Sequence, residues 1–444
     1  MRISDTSDSL RNHARQLLSS ALAAGAEEAE VYGISSLSFD IDLRRAQVEL
    51  ASRSLHRGLG LRAVVSGAVG FSSTSDMSLL SSVARSAVQS ARARGPDPAW
   101  RGLPRPERVT HPENTFDPRL AEIGPEECLD LAEGLVAGCS QVAGAEPVSG
   151  GLACASGTSF IINSWDLELE ERGTIMQASL EAIARGADVA TGSDFYISRG
   201  LASSLEPVGR SAAEMARSSL GGQKAESGTF DVLLRPQAAA ELLEYTLIPA
   251  LLADSVQKGR SVLAGRIGES IASERLVIAD DGLLSGGIDS SAFDGEGAPS
   301  QRTVLIEDGT LKAYLYDSYT AGKEGVHSTG NAVRSGYTAL PRVGARNFIL
   351  SSADSQNLLE ETGGFMVSGL IGAHTANAIS GDFSVEARNA FAISPGQEAR
   401  PIRSLMLAGN IFELLREIEV GRDVRSVGSI VTPTVKLRMK VVGS

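Results

Sequence analysis

The chain has 444 residues, with 41 Lys and Arg against 54 Asp and Glu, for a formal net charge of −13 at pH 7. Such a length predicts two or three domains, and a 42% hydrophobic share is ample for packed cores. The acidic balance excludes a large nucleic-acid surface, which needs clustered cations, and no apolar run approaches the roughly 20 residues of a membrane-spanning helix.

Met1 to Arg11 hold charges and hydroxyls but no apolar core, so no signal peptide is expected and the cytoplasm is the default compartment. Cys128, Cys139 and Cys154 are odd in number and widely spaced. That fits neither a disulfide framework nor a zinc knuckle, and reduced packing residues are expected.

In chain order, Leu10, Ala14, Leu17, Leu18, Ala21 and Leu22 recur at helical spacing between Asp8 and Gly25. Alternation at Leu37, Phe39, Ile41 and Leu43 predicts a strand, and alternation from Leu59 to Phe71 around Ser66-Gly67 predicts a hairpin. Ser75-Asp76 is a good N-cap for a helix striped by Leu79, Leu80, Val83, Ala84, Ala87, Val88 and Ala91 and ended by Gly95. Residues 1–95 therefore read as an N-terminal α+β domain of helices and antiparallel strands.

Six prolines between 96 and 118 forbid a continuous helix or central strand there, so this stretch reads as a linker. Residues 119–222 read as a middle α/β segment: a helix from Pro125 to Cys139, strands at Ile161-Ile162 and Leu167–Glu171, and a helix near Pro207 to Leu220. From 223 to 444 the pattern is β-rich, opening with a strand at Phe230–Leu234 and a helix at Pro236. Beyond Ile278, short strands and Gly-rich turns are broken by helices near Gln356–Glu361 and Ile411–Ile418. No internal repeat at a fixed period is visible.

The five histidines are isolated, and no HExxH, CxxC, G-x-S-x-G or Walker pattern occurs. A distant assembly of His327 and His374 with an aspartate is the one metal alternative. Asp280-Asp281 and Asp294 with Glu296 read first as turn formers, second as a carboxylate pair for a cation or shared proton. Gly363-Gly364 to Gly372 reads as a tight β-connection. The tract Ser328 to Tyr337, STGNAVRSGY, has two readings: Gly330, Asn331 and Arg334 hold a peptide backbone or carboxylate, or the tract is a structural turn with an Arg ion pair.

Taken in order, several blocks resemble the TldD/TldE family, also called PmbA or modulator-of-gyrase peptidases. They are GLGLRAVVSGAVGFSSTSD (Gly58 to Asp76), KGRSVLAGRIGESIAS (Lys258 to Ser273), FDGEGAPSQRTVLIEDGTLKAYLYD (Phe293 to Asp317), STGNAVRSGY, ISGDFS (Ile379 to Ser384), AGNIFELL (Ala408 to Leu415) and a closing PTVKL. The resemblance implies a β-rich C-terminal domain of the TldD/PmbA type and a two-subunit zinc metallopeptidase. TldD-type subunits carry HExxxH on the helix after the first strand of that domain, with a later cysteine completing the site.

At the matching positions stand Glu244 for the first His, Tyr245 for the glutamate and Pro249 for the second His. No histidine lies between His111 and His327, and no cysteine follows Cys154. ISGDFS is similar to the TldE/PmbA form of its strand. The resemblance therefore implies a chain with no catalytic residue and no metal of its own, inert alone because nothing replaces a zinc-bound water.

Such a chain is expected to pair with a TldD-like zinc peptidase and to enclose extended peptide substrate. Divergence at Asn163-Ser164-Trp165-Asp166 and at Val385–Asn389 hints at a dedicated role in maturing one peptide or natural product. The rival readings are a homodimer with chemistry at Asp280, Asp281, His327 or His374, and a non-enzymatic adaptor or regulator.

Overall fold

The computed structural model describes residues 3–397 and 399–443. Met1 and Arg2, the start of the stretch read as lacking a leader, lie outside them. The first helix is Ile3–Ala23. Six strands then build one antiparallel sheet: β1 (Glu28–Arg44), β2 (Gln47–Val65), β3 (Ala68–Thr74), β4 (Ala145–Asn163), β5 (Glu168–Arg185) and β6 (Val189–Ser198). Their spatial order is β3-β2-β1-β4-β5-β6. The β2–β3 turn falls on Ser66 and Gly67, at φ 52° and 77°, the doubly positive backbone that a tight two-residue hairpin needs.

Helices Ile3–Ala23 and Leu80–Arg94 bury Leu10, Ala14, Leu17, Val83 and Ala87 against β1 and β2. Helices Pro125–Ser140 and Glu206–Ser218 bury Ala132, Leu135, Ala212 and Ala213 against β4 and β5. The order helix, three strands, helix thus occurs twice, with β1 and β4 paired at the centre from Glu30↔Asn163 to Arg44↔Ser149.

Close packing repeats as well. A Cβ on Gly70 of β3 would stand 1.9 Å from Ala87 O, and one on Gly192 of β6 would stand 2.2 Å from Ala216 N. In each half the last strand carries a glycine where the second helix presses its backbone onto the sheet. The sequence shows no fixed-period repeat because what recurs is element order and one close approach.

Residues 1–95 and 119–222 therefore share one sheet. The proline-rich stretch between them is pinned along the body: Leu103 is buried, Trp100 Nε1 donates to Glu28 at 2.7 Å, and Asn163 Nδ2 donates to Pro104 O at 2.8 Å. β3 reaches β2 only from Leu59↔Thr74 to Val65↔Ala68. Among the described residues, one edge of β2 from Gln47 to Gly58 has no strand partner, with Val48, Leu50 and Leu55 exposed.

The C-terminal half has two larger sheets. One runs Thr310–Leu311, Arg302–Glu307, Leu276–Asp281, Phe348–Ser352, Ile430–Thr432, Arg425–Val427. The other runs Gly364–Ile371, Gly228–Leu234, Val435–Gly443, Leu405–Asn410, Asp382–Ile393, Arg400–Ile402. Helix Pro236–Tyr245 lies between them, touching Gly364–Ile371 on one side and Ile430–Thr432 on the other. The expected helices near 356–361 and 411–418 are short, Leu358–Glu361 and Ile411–Leu414. Ser318–Glu324, not anticipated from sequence, is a further helix. An apolar cluster of Ile161, Leu167, Ala292 and Phe293 seals a C-terminal loop onto the N-terminal sheet. No described helix is long and apolar enough to cross a membrane.

Candidate functional site

Strand Gly228–Leu234 feeds the helix that opens with Pro236 at its first turn, where a missing N–H costs nothing. Ala238, Ala239, Leu242 and Leu243 face the core, which fixes Glu244 and Tyr245 on the outer side. The helix stops at Thr246, and only the turn Leu247–Ala250 follows. Pro249 has no N–H to return to the Tyr245 carbonyl, so a regular helix cannot run through this point.

Glu244, Ile248 and Pro249 form one wall of a cleft of about 790 Å³. The opposite walls come from Tyr319 and Thr320 on Ser318–Glu324, from Arg342–Ala345, and from Gly428–Ile430. Asp317 caps the short helix, its Oδ1 receiving Thr320 N–H at 2.8 Å and Thr320 Oγ1 at 2.7 Å. Partial burial and then Glu241 push the Glu244 carboxyl above its ordinary range. Tyr245 turns away from this cleft and meets the exposed ring of His374 edge-on, centroids 6.4 Å apart.

The three positions thus offer one carboxylate, one phenol on another side and one ring without a donor atom. Zinc requires three converging N, S or O ligands, and these residues do not fit it. Among the described residues no three His, Cys, Asp or Glu side chains gather closely enough to hold a metal ion.

The rival set does not assemble. His327 and His374 are exposed, while Asp280 is buried and bound to Asn331 Nδ2 at 2.6 Å and Arg346 N at 2.8 Å. Burial pushes the Asp280 carboxyl up to about 6. Only Asp281 behaves as a simple turn former, receiving Leu283 N–H at 2.9 Å. Asp294 does two tasks: it binds Glu296 N–H and Ala298 N–H of its own turn, and Ala332 N–H at 3.0 Å from another segment. The turn reading of Asp280, Asp294 and Glu296 is therefore incomplete, since all three are buried and tie loops together.

The Ser328–Tyr337 tract is a small hairpin, Ala332–Val333 against Arg342–Val343. Gly330 sits at φ 70°, and a Cβ there would stand 2.4 Å from Pro299 O. Asn331 Nδ2 also donates to Gly344 O at 3.0 Å, and its Oδ1 receives Thr329 Oγ1 at 2.7 Å. Arg334 donates to Gly295 O at 2.6 Å, to Ala339 O at 3.1 Å and to Glu30. Gly330 and Asn331 line neither cavity of this region, whereas Arg334 borders the one against the N-terminal sheet with its guanidinium engaged within the chain.

Arg334 belongs to a buried chain of alternating charge, Arg334–Glu30–Arg62–Glu296. Arg62 reaches Glu30 at 2.5 Å and Glu296 at 2.7 Å, and Glu296 also receives Ser318 N–H at 2.8 Å. Burial alone would pull Arg62 down, but the two carboxylates outweigh it and hold it above its ordinary value. Burial likewise would raise Glu296, and Arg62 outweighs it to leave the carboxyl low. The Arg334–Glu30 pair is of the kind the structural-turn reading of that tract expects, whereas the rest of the network, which bolts β1 and β2 to the C-terminal half, has no counterpart in the sequence reading. Its signal was Arg62 inside the apolar run Leu59–Val65.

The profile described as the PmbA/TldA metallopeptidase C-terminal domain matches residues 227–443; those for domain 1 and the central domain match 29–93 and 118–220. A Methanocaldococcus jannaschii protein is 33% identical over 422 residues, 94% of this chain and 96% of its own. The metalloprotease PmbA of Escherichia coli O157:H7 is 26% identical over 436 residues, 94% of this chain and 93% of its own. The crystal structure of TldE from Thermococcus kodakarensis superposes with a TM-score of 0.88 at 25% identity, covering 97% of this chain and 100% of that one. On this agreement of three successive domains with full-length relatives and fold, the chain belongs to the PmbA/TldD family of metallopeptidase-type proteins.

Proposed function

We propose that this chain is the non-catalytic, TldE/PmbA-like member of a two-subunit cytoplasmic peptidase, supplying one wall of a compartment whose zinc belongs to a TldD-like partner. The observation that carries the reading is the donor set at Glu244, Tyr245 and Pro249, which does not converge and lacks imidazole and thiolate. The similarity to TldE over nearly the whole chain supports it. In such a pair this chain positions and encloses, while water activation takes place on the partner's metal. The cleft beside Glu244 is then free to hold extended peptide, gripped through backbone as at a sheet edge, and to exclude folded protein.

The test is co-expression with a HExxxH-containing family member of the same genome, followed by size-exclusion chromatography, metal analysis and hydrolysis of an unstructured peptide. The expected result is a stable heteromer whose zinc and activity require the partner. One tightly held zinc per purified lone chain, or hydrolysis by the lone chain that Glu244→Gln abolishes, would overturn the reading.

A further inference from the structure

A second cavity, of about 420 Å³, lies between the N-terminal sheet and the loop 289–295, within the usual range of small-ligand pockets, roughly 300–1,000 Å³. Val333 borders both this cavity and the cleft beside Glu244. Its floor is opened by a cross-strand glycine pair, Gly157 on β4 opposite Gly173 on β5. Even a Cβ at Gly173 would stand 3.1 Å from Arg199 Nη2.

Among the charged side chains that line this space, Arg199 and Glu171 feel each other's charge but form no close ion pair. Arg199, just past β6, makes one guanidinium hydrogen bond among the described residues, a long 3.4 Å contact from Nη2 to Ser290 O, and its buried Nε donates to nothing. Glu171 on β5 receives Ala292 N–H on Oε2 at 2.7 Å, while its Oε1 has no hydrogen-bond partner among the described residues.

The tightly paired network at Arg62 shows that this fold closes buried ion pairs where it can. Yet among the described residues Arg199 has no carboxylate within 4.0 Å. Burial pulls the Arg199 guanidinium down and pushes the Glu171 carboxyl up, as expected of charges short of close partners. The neighbouring Arg346 is different, for its guanidinium is taken up by Asp289 O at 2.6 and 3.0 Å and Ser291 Oγ at 2.7 Å.

We propose that this cavity binds a small zwitterion, an amino acid or a short peptide with free termini, whose carboxylate pairs with Arg199 and whose ammonium pairs with Glu171. Arg172, Arg334 and Arg346 line the same space, but Arg334 and Arg346 are engaged within the chain and Arg172 lies over the Phe116 ring, so a plain anion would pair chiefly with Arg199 and would face Glu171 and Asp289. A ligand carrying both signs satisfies both walls, with hydroxyls such as Ser156 and Ser291 beside it. The site does not depend on a zinc-bearing partner, so it stands or falls separately from the proposed pairing.

The test is isothermal titration of the purified full-length chain with trialanine, N-acetyl-trialanine, trialanine amide and sulfate. Trialanine is expected to bind saturably, and capping either end to weaken it about tenfold or more, the loss of one charge-assisted contact. In Arg199→Gln, amidation should cost nothing further; in Glu171→Gln, acetylation should cost nothing further. Absence of saturable trialanine binding, capped peptides binding as tightly as the free one, or sulfate binding as tightly as trialanine would each overturn the proposal. Because the peptide comparison is made in the unaltered chain, it decides the matter even where a variant fails to fold.

Discussion

Replacing Arg62 by Met removes a charge while keeping most of the side-chain bulk. Arg62, Glu30 and Glu296 have side-chain exposures of 4%, 0% and 1%. In the variant Glu30 keeps Arg334, but Glu296 keeps only the Ser318 N–H as a partner outside its own turn, beside Asp294. Removing one partner of a fully buried pair costs about 3–5 kcal/mol, because a charge is stranded out of water.

The pH dependence follows from the same geometry. In Arg62→Met the folded-state pKa of Glu296 rises above its unfolded value, so the folded chain holds a proton that the unfolded chain has released. Stability of the variant then increases as pH falls towards 5, and the deficit is largest near pH 8. Trp100 lies 5.7 Å from the Arg62 guanidinium, and both Trp100 and Trp165 donate to Glu28, so tryptophan fluorescence reports on this region directly. Urea unfolding at pH 8 and pH 5 is the assay. A loss below about 1 kcal/mol at pH 8, or one equal at both pH values, refutes the reasoning.

Three further outcomes follow from the geometry. The Asp280 carboxyl, raised by burial to about 6 from an ordinary 3.8, contributes stability that is complete below pH 4 and is lost by about pH 6.5; that is a fall of about 3 kcal/mol, and Asp280→Asn should flatten this slope in equilibrium unfolding. Gly330→Ala should destabilise by about 1–3 kcal/mol in the same assay, since the turn needs φ 70° and the new methyl collides with Pro299 O. Cys128, Cys139 and Cys154 are all buried and free, so a thiol reagent should count none of them in the folded chain and three after denaturation.

The parts legible in the sequence were those whose signal is local. The helix stripe and the Ser66-Gly67 hairpin are written in periodicity and turn chemistry, and both stand in the structure, except that Leu79 lies exposed in a short turn capped by Asp76 and the stripe begins at Leu80. Only Ile161-Ile162 of β4 is legible, because the stretch Ser149 to Ser159 is Gly, Ala, Ser and Cys apart from Leu152 and Thr158, too small to show alternation in hydropathy. Burial nevertheless alternates there, since helix Pro125–Ser140 covers one face. The helix Ser318–Glu324 was missed because seven residues rich in hydroxyls carry no stripe; an Asp317–Thr320 capping box holds it instead.

The polar interior was least legible. Asp280 meets Asn331 across 51 residues and Glu30 meets Arg334 across 304, and spacing along the chain gives no notice of either encounter. Of the candidate positions, Glu244 and Pro249 share a cleft wall, whereas Tyr245 does not.

The bare margin of β2 gives the molecule a problem of self-recognition. From Gln47 to Arg57 a row of main-chain donors and acceptors faces outward beside Val48, Leu50 and Leu55, a template on which any stray strand could crystallise order. Glu49, Arg53 and Arg57 are interspersed along it: a parallel copy in register would set like charge against like at all three, and an antiparallel copy centred on Arg53 would set that guanidinium against its own twin. Those three side chains lie outside both cavities described above, and charge on an open strand is the usual means by which a sheet keeps its edge from joining another.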